Sequence, residues 1–307
     1  MWNTLRTITL TAVSASLSSA HVGDRVVPIF EIPEESFSEI DIHDGDIEDW
    51  LNVIGEPSLT GLDLTALIED PNKGITNAPG EEYDPSDLDF RIWLAWHRGL
   101  NRIYLAAEGV DDVLVEPDDD DELYWDGVVI LHIDGDHSGG VYNFKDGDES
   151  QWQSVQGFVG GPMGYWVERH VRYPEYCKIG SPETTCWFKA PPFADLGGAT
   201  YGENPTVWMT EVYATPFDRL VPDSAEETVV SELLPGKIIG LMLVVTDDDN
   251  PPARDREATF TIPPIDPDSP TPGPVEFADG LLVPVGGLAG SAVESVTWGR
   301  IKASLQP

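Results

Sequence analysis

Two cysteines, four methionines and 17 basic side chains are all that a chain of 307 residues contains of these types. Each scarcity excludes something. So few Lys and Arg against 55 acids give a formal charge of −38, so the phosphate backbone of a nucleic acid would be repelled and is not a partner. No run of eighteen apolar residues occurs anywhere, which leaves no predicted membrane span. Cys177 and Cys186, in YCKIGSPETTCWF, have no third cysteine or histidine beside them; a zinc site lacks ligands there, and an oxidising compartment would let the pair close a short disulfide loop. No G-x-S-x-G, H-E-x-x-H or P-loop pattern is present, so the chain is expected not to be an enzyme.

What is present begins with MWNTLRTITLTAVSASLSSA, one positive charge, an apolar and small-residue run and Ser-Ser-Ala. That is the layout of a signal peptide over residues 1–20, leaving 21–307 as a single secreted domain. Apolar residues then recur with period two. In LDFRIWLAWHR, Leu88, Phe90, Ile92, Leu94 and Trp96 share one face, while Asp89, Arg91, Trp93 and His97 share the other. This predicts a strand that a Gly99–Asn101 turn joins to a second strand, RIYLAAEGV. Further strands are predicted at 26–32, 127–134, 164–171, 206–214, 237–247, 258–262 and 296–303. One short helix is expected after Ser224, with Glu227 completing a capping box and Pro235-Gly236 stopping it. The Pro-rich stretch 263–274 reads as a surface loop. Strands without alternating helices imply an all-β fold, a two-sheet antiparallel sandwich.

Three kinds of side chain could carry function. The turn HIDGDHSGG sets Asp134 and Asp136 at a strand exit, but Lys145 occupies the place of an EF-hand's bidentate Glu. It is either a backbone turn that uses Asp and Gly, or half of a calcium site completed by Asp247, Asp248 and Asp249 at another strand end, since Ca²⁺ needs six to eight oxygens. The run PDDDDE at 117–122 reads as a solvated loop. Among ten tryptophans, Trp96, Trp208 and Trp298 lie among apolar neighbours and read as core, and Trp50 as a staple of its turn. Trp152, Trp166 and Trp187 lie in polar or Gly-rich segments, and Trp93 on the polar side of its strand; these four could offer a flat face to a sugar. Met163, Met209, Met242, His97, His132 and His170 are the side chains that could hold a haem.

Six segments in order resemble the family 9 carbohydrate-binding module, a DOMON-like sandwich: IHDGDIEDW (42–50), YDPSDLDFRIWLAWHRGLNRIYLAAEGVDDV (83–113), YWDGVVILHIDGDHSGG (124–140), VWMTEVYATPFDRL (207–220), GKIIGLMLVVTDDD (236–249) and VESVTWGRIKASL (293–305). The resemblance implies a jelly-roll-like β-sandwich, extracellular or cell-surface placement, a poly- or oligosaccharide ligand and a structural Ca²⁺. Alternatives are a secreted surface or matrix protein without a sugar ligand, a haem-binding electron-transfer sandwich, or an accessory component of a glycoside hydrolase.

Overall fold

A computed structural model describes residues 26–70, 74–76, 83–115, 127, 129–137, 155–160, 171–172, 187–189, 191–221, 224–249, 258–262 and 277–287. The segment 1–20, Cys177 and Cys186, the loop 263–274 and the strand expected at 296–303 lie outside these residues.

Where the expected strands fall on described residues they form; residues 164–170 of the strand expected at 164–171 lie outside them. In chain order the strands are β1 (Val26–Glu31), β2 (Leu59–Thr60), β3 (Thr65–Asp70), β4 (Gly74–Thr76), β5 (Leu88–His97), β6 (Arg102–Asp111), β7 (Val129–Asp134), β8 (Val155–Gly160), β9 (Val171–Arg172), β10 (Ala194–Tyr201), β11 (Thr206–Ala214), β12 (Phe217–Arg219), β13 (Val229–Val230), β14 (Ile238–Asp247), β15 (Ala258–Ile262) and β16 (Ala278–Val283). The β5–β6 hairpin holds one register from Leu88↔Asp111 to His97↔Arg102, and Asn101 takes the left-handed conformation at its turn, φ 51°.

The long sheet follows the order β10-β11-β6-β5-β1-β16-β14-β15-β3-β4, with β7, β8 and β9 continuing from the other edge of β14. It doubles over on itself. Phe90 on β5 and Phe260 on β15 belong to strands that do not pair with each other, yet their ring centroids are 5.3 Å apart. One layer is therefore β10-β11-β6-β5, the facing layer is β9-β8-β7-β14-β15-β3-β4, and β1 with β16 turn the corner between them. Ile92, Leu94, Trp96, Leu105 and Trp208 from the first layer meet Leu131, Leu241, Leu243, Val245 and Phe260 from the second in one buried core, which is the sandwich that alternation implies.

Two features depart from the sequence expectation. β1 runs parallel to both β5 and β16, so the sandwich is not wholly antiparallel; the chain's first strand inserts between strands far along the sequence, where connections are long enough to allow it. The helix expected after Ser224 is absent. Ser224 Oγ does accept from the Glu227 amide at 3.3 Å, but residues 225–227 make only a turn. Thr228 explains this: its hydroxyl donates to the Ser224 carbonyl and accepts from the Val221 amide, closing the loop locally. The β-branched Val229 and Val230 then pair with β12. The α-helix found among the described residues is α1, Glu48–Val53. It belongs to a segment, residues 32–54, that lies over the outer face of the first layer. Ile32, Ile42, Ile47 and Trp50 pack there on Trp93, Ala95, Tyr104, Ala106, Met209 and Tyr213, so both faces are buried from Trp93 to His97 of β5 and from Ile103 to Ala107 of β6.

Candidate functional site

The acidic turn at Asp134 does not join the acids at 247–249. β7 and β14 are antiparallel, with Asp134 opposite Gly240. Asp247 is seven residues further along β14, about 24 Å away at 3.4 Å per residue. The four aspartates Asp134, Asp136, Asp247 and Asp249 therefore cannot share one ion, because the exit of a strand lies beside the entry of its antiparallel neighbour. The turn itself is packed: Ser231 Oγ donates to the Gly135 carbonyl at 3.0 Å, and a Cβ on Gly135 would fall 2.7 Å from the Phe217 carbonyl oxygen. Asp134 is buried and Asp136 exposed, while His137 Nε2 lies 2.9 Å from Asp279 Oδ1.

Asp247 and Asp249 instead meet the end of β6. Carboxylate oxygens of Asp111, Asp247 and Asp249 lie within 4.8 Å of one another, and so do those of Asp87, Asp112 and Asp249. Five carboxylates thus share one corner where β5 begins and β6 and β14 end. Asp111 and Asp247 are fully buried. Asp111 Oδ1 accepts from the Val113 amide at 2.9 Å, and its Oδ2 is buried without a hydrogen-bond partner. Burial, then the charges of Asp249, Asp112 and Asp87, hold its carboxyl well above the usual carboxylate range. The donor set is all oxygen, which suits Ca²⁺.

A second cluster went unread in the sequence. Glu211 stands mid-strand on β11, on the outer face of the first layer, and is fully buried. Its Oε1 accepts from Trp50 Nε1 at 2.6 Å across 161 residues of sequence, while Oε2 has no hydrogen-bond partner. Carboxylate oxygens of Asp44, Asp49 and Glu211 come within 4.8 Å of one another. The neighbours of Glu211 leave room for this: in register it lies between Gly197 and Ala106, and the Ile42 carbonyl oxygen passes 1.7 Å from where a Gly197 Cβ would be. The loop above is shaped by its own aspartates, Asp41 accepting from the His43 amide and Asp44 from the Asp46 amide. It is tied to β10 by the Tyr201 hydroxyl on the Gly45 carbonyl and by His43 on Asp195. Burial pushes Glu211 up to about 8 against the Trp50 hydrogen bond that lowers it, with the charges of Asp49, Asp44 and Asp41 adding to the rise. Asp49 is pushed up to about 6 by burial, against amide bonds from Asp41 and Trp50 that lower it.

Of the four candidate sugar platforms, Trp152 and Trp166 lie outside the described residues. Trp93 offers no face: it is fully buried beneath the 32–54 segment, and its Nε1 donates to the Gly55 carbonyl at 2.8 Å. Trp187 is half-buried. Its ring stands edge-on to Phe188, Phe193 and Phe217 at 5.6, 4.7 and 5.8 Å, a geometry that fixes its plane. Trp96 and Trp208 are core residues as expected, and Trp50, expected to staple its turn, is fully buried as well. Of the side chains considered for haem, Met163 and His170 lie outside the described residues. Met242 and His132 are register partners, side by side on one layer rather than across a gap.

No family model and no curated protein matches the chain. Among solved structures it is similar to a family 9 carbohydrate-binding module from Caldicellulosiruptor kristjanssonii in complex with cellotriose, at 13% identity and TM-score 0.46, over 89% of this chain and 100% of that one. The same module in complex with glucose gives the same identity and score over 88% and 100%. A putative carbohydrate-binding protein from Bacteroides uniformis is similar at 12% identity and TM-score 0.41, over 84% and 99%.

Proposed function

We propose that the chain is a secreted, non-catalytic β-sandwich that binds a poly- or oligosaccharide on an aromatic face, with Ca²⁺ stabilising the corner formed by Asp87, Asp111, Asp112, Asp247 and Asp249. The observation that carries the sugar reading is Trp187, a partly open ring whose plane is fixed by three edge-on neighbours. Such a ring packs on the C–H face of a pyranose without first losing rotamer freedom. Further support comes from the family 9-like segments, because IHDGDIEDW and VWMTEVYATPFDRL, far apart in sequence, are joined in space through Trp50 and Glu211. Secretion follows from the signal-like residues 1–20, and a Cys177–Cys186 disulfide belongs to the same reading. For the metal, the fit rests on the oxygen-only donor set and on Asp111 Oδ2, a buried acceptor that lacks a protein donor; the ion would supply charge neutralisation there.

Affinity electrophoresis through gels containing soluble polysaccharides, backed by a glycan array, tests the sugar reading. The parent protein is retarded by at least one glycan, and Trp187→Ala weakens that binding about tenfold or more while still melting cooperatively, the effect of removing an aromatic anchor. Equal binding by parent and variant would remove Trp187 from the site. A parent that binds no glycan favours the surface- or matrix-protein alternative.

A further inference from the structure

We propose that Asp44, Asp49 and Glu211 hold a second divalent cation, of the hard, oxygen-preferring Ca²⁺ class, and that this ion fastens the 32–54 segment to the outer face of the first layer. The segment contributes Asp44 and Asp49, the sheet contributes Glu211, and the ion stands between them. A wholly buried carboxylate is costly unless its charge is met and its oxygens are bonded. Trp50 meets only one oxygen of Glu211. The other is sealed from solvent with no donor, and carboxylate oxygens of Asp44 and Asp49 come within 4.8 Å of a Glu211 oxygen.

Among the described residues no basic side chain answers this charge, and no ion pair reaches Asp44, Asp49 or Glu211. His43, the nearest candidate in sequence, is paired with Asp195. Arg102 lies instead over the ring of Tyr213, 3.8 Å from its centroid, and donates to the Pro192 carbonyl. Gly197 and Ala106 flank Glu211 with no side chain and one methyl, and the Ile42–His43 backbone crosses over Gly197, so the covering segment rather than a sheet side chain comes down beside the carboxylate. Asp44 is exposed, which gives an ion a route in and leaves water to complete its shell. The site differs from the strand-end corner in its residues, its layer face and its effect: its occupancy governs how firmly a covering segment adheres, whereas the corner joins strand ends to one another.

Calorimetric titration of Ca²⁺ into the chelator-stripped chain, without saccharide, tests this. Glu211→Gln preserves the acceptor for Trp50 and removes the charge; Asp44→Asn removes the charge at an exposed position and keeps an oxygen that can accept from the Asp46 amide. Each is expected to abolish one class of bound Ca²⁺ or weaken it more than about tenfold, while Asp111→Asn leaves that class intact. Terbium in place of Ca²⁺ gives a second readout, since emission excited through the adjacent tryptophan drops in Trp50→Phe. Ca²⁺ isotherms of Glu211→Gln and Asp44→Asn that superimpose on the parent's, or no Ca²⁺ binding by the parent, overturn the proposal and leave a proton as what neutralises Glu211. If Glu211→Gln fails to fold, Asp44→Asn decides alone. Because no sugar is present, the outcome is independent of whether Trp187 binds one.

Discussion

Two groups of carboxylates sit in opposite settings. The corner of Asp111, Asp247 and Asp249 collects acids where strands end, and its members arrive as runs, Asp111-Asp112 and Asp247-Asp248-Asp249. Asp44, Asp49 and Glu211 meet in the middle of a sheet face beneath a short helix, and the buried member is a single acid within TVWMTEVYA. The difference teaches where buried charge is tolerated. At a strand end, exposed loop acids such as Asp112 keep contact with water. In mid-sheet the charge is shielded only by what is laid over it, so the covering segment and Glu211 depend on each other, through Trp50 above all.

Removing that cover is the largest perturbation. Trp50 is fully buried, packs on the outer face of the first layer and, among the described residues, supplies the one hydrogen bond to the Glu211 carboxylate. Trp50→Ala is expected to cost about 3–5 kcal/mol for the lost packing, and it leaves both Glu211 oxygens without a protein donor. Denaturant unfolding gives the size. Hydrogen exchange sharpens the contrast: amides of Glu48–Val53 lose protection, whereas those of β6 and β14 beside the strand-end corner keep it. Equal loss at both places would mean that the covering segment is no separable unit.

A smaller break comes from the sheet side. Gly197→Ala puts a Cβ where the Ile42 carbonyl oxygen passes; backbone cannot swing aside as a side chain does, so the loop carrying Asp44 must lift. The expected cost is about 1–3 kcal/mol, the usual size of overpacking, with the strand-end corner untouched. A variant as stable as the parent would show that the 32–54 loop adapts without loss, and that the Asp44 position is not set by β10.

The contrast also explains what the sequence disclosed. Strands such as β5 and β6 were legible because one face alternates strictly, Leu88 through Trp96, and the facing layer buries that face. The other face of β5 misled. Asp89 and Arg91 made it read as solvent-facing, and Trp93 with it, because the segment that buries it comes from residues 32–54 and is itself rich in acids. The signal was Ile42, Ile47 and Trp50 standing out of that acidic background. β10 was missed because ADLGGATY lacks bulk, and it lacks bulk because Ile42 crosses Gly197. The pairing of Asp134 with Asp247 was wrong for a topological reason: both acids end strands, but antiparallel neighbours end at opposite edges of the sheet. Parallel placement of β1 could not be read from alternation, which is silent on direction.

The smallest test uses the far edge of the same covering segment. His97 is almost wholly buried on the outer face, its ring 4.3 Å from that of Phe37. Nδ1 accepts from the Leu100 amide at 3.2 Å, and Nε2 is 3.3 Å from Glu34 without hydrogen-bond geometry. Burial lowers its pKa from 6.5, against the raising charges of Glu34 and Glu31, and Arg102 lowers it further. A lowered pKa means that the unfolded chain takes up this proton first. The contribution of His97 is therefore full above pH 6.5 and is lost as pH falls below it. Glu211 runs the other way in cation-free protein: its raised pKa makes stability fall as pH climbs from about 4.5 to about 8. Monitoring the His97 ring proton by NMR separates the two, and its midpoint is expected below 6.5. A midpoint at or above that value would mean that Glu34 outweighs burial, and that this edge of the segment is held by an ion pair rather than by the packing of Phe37.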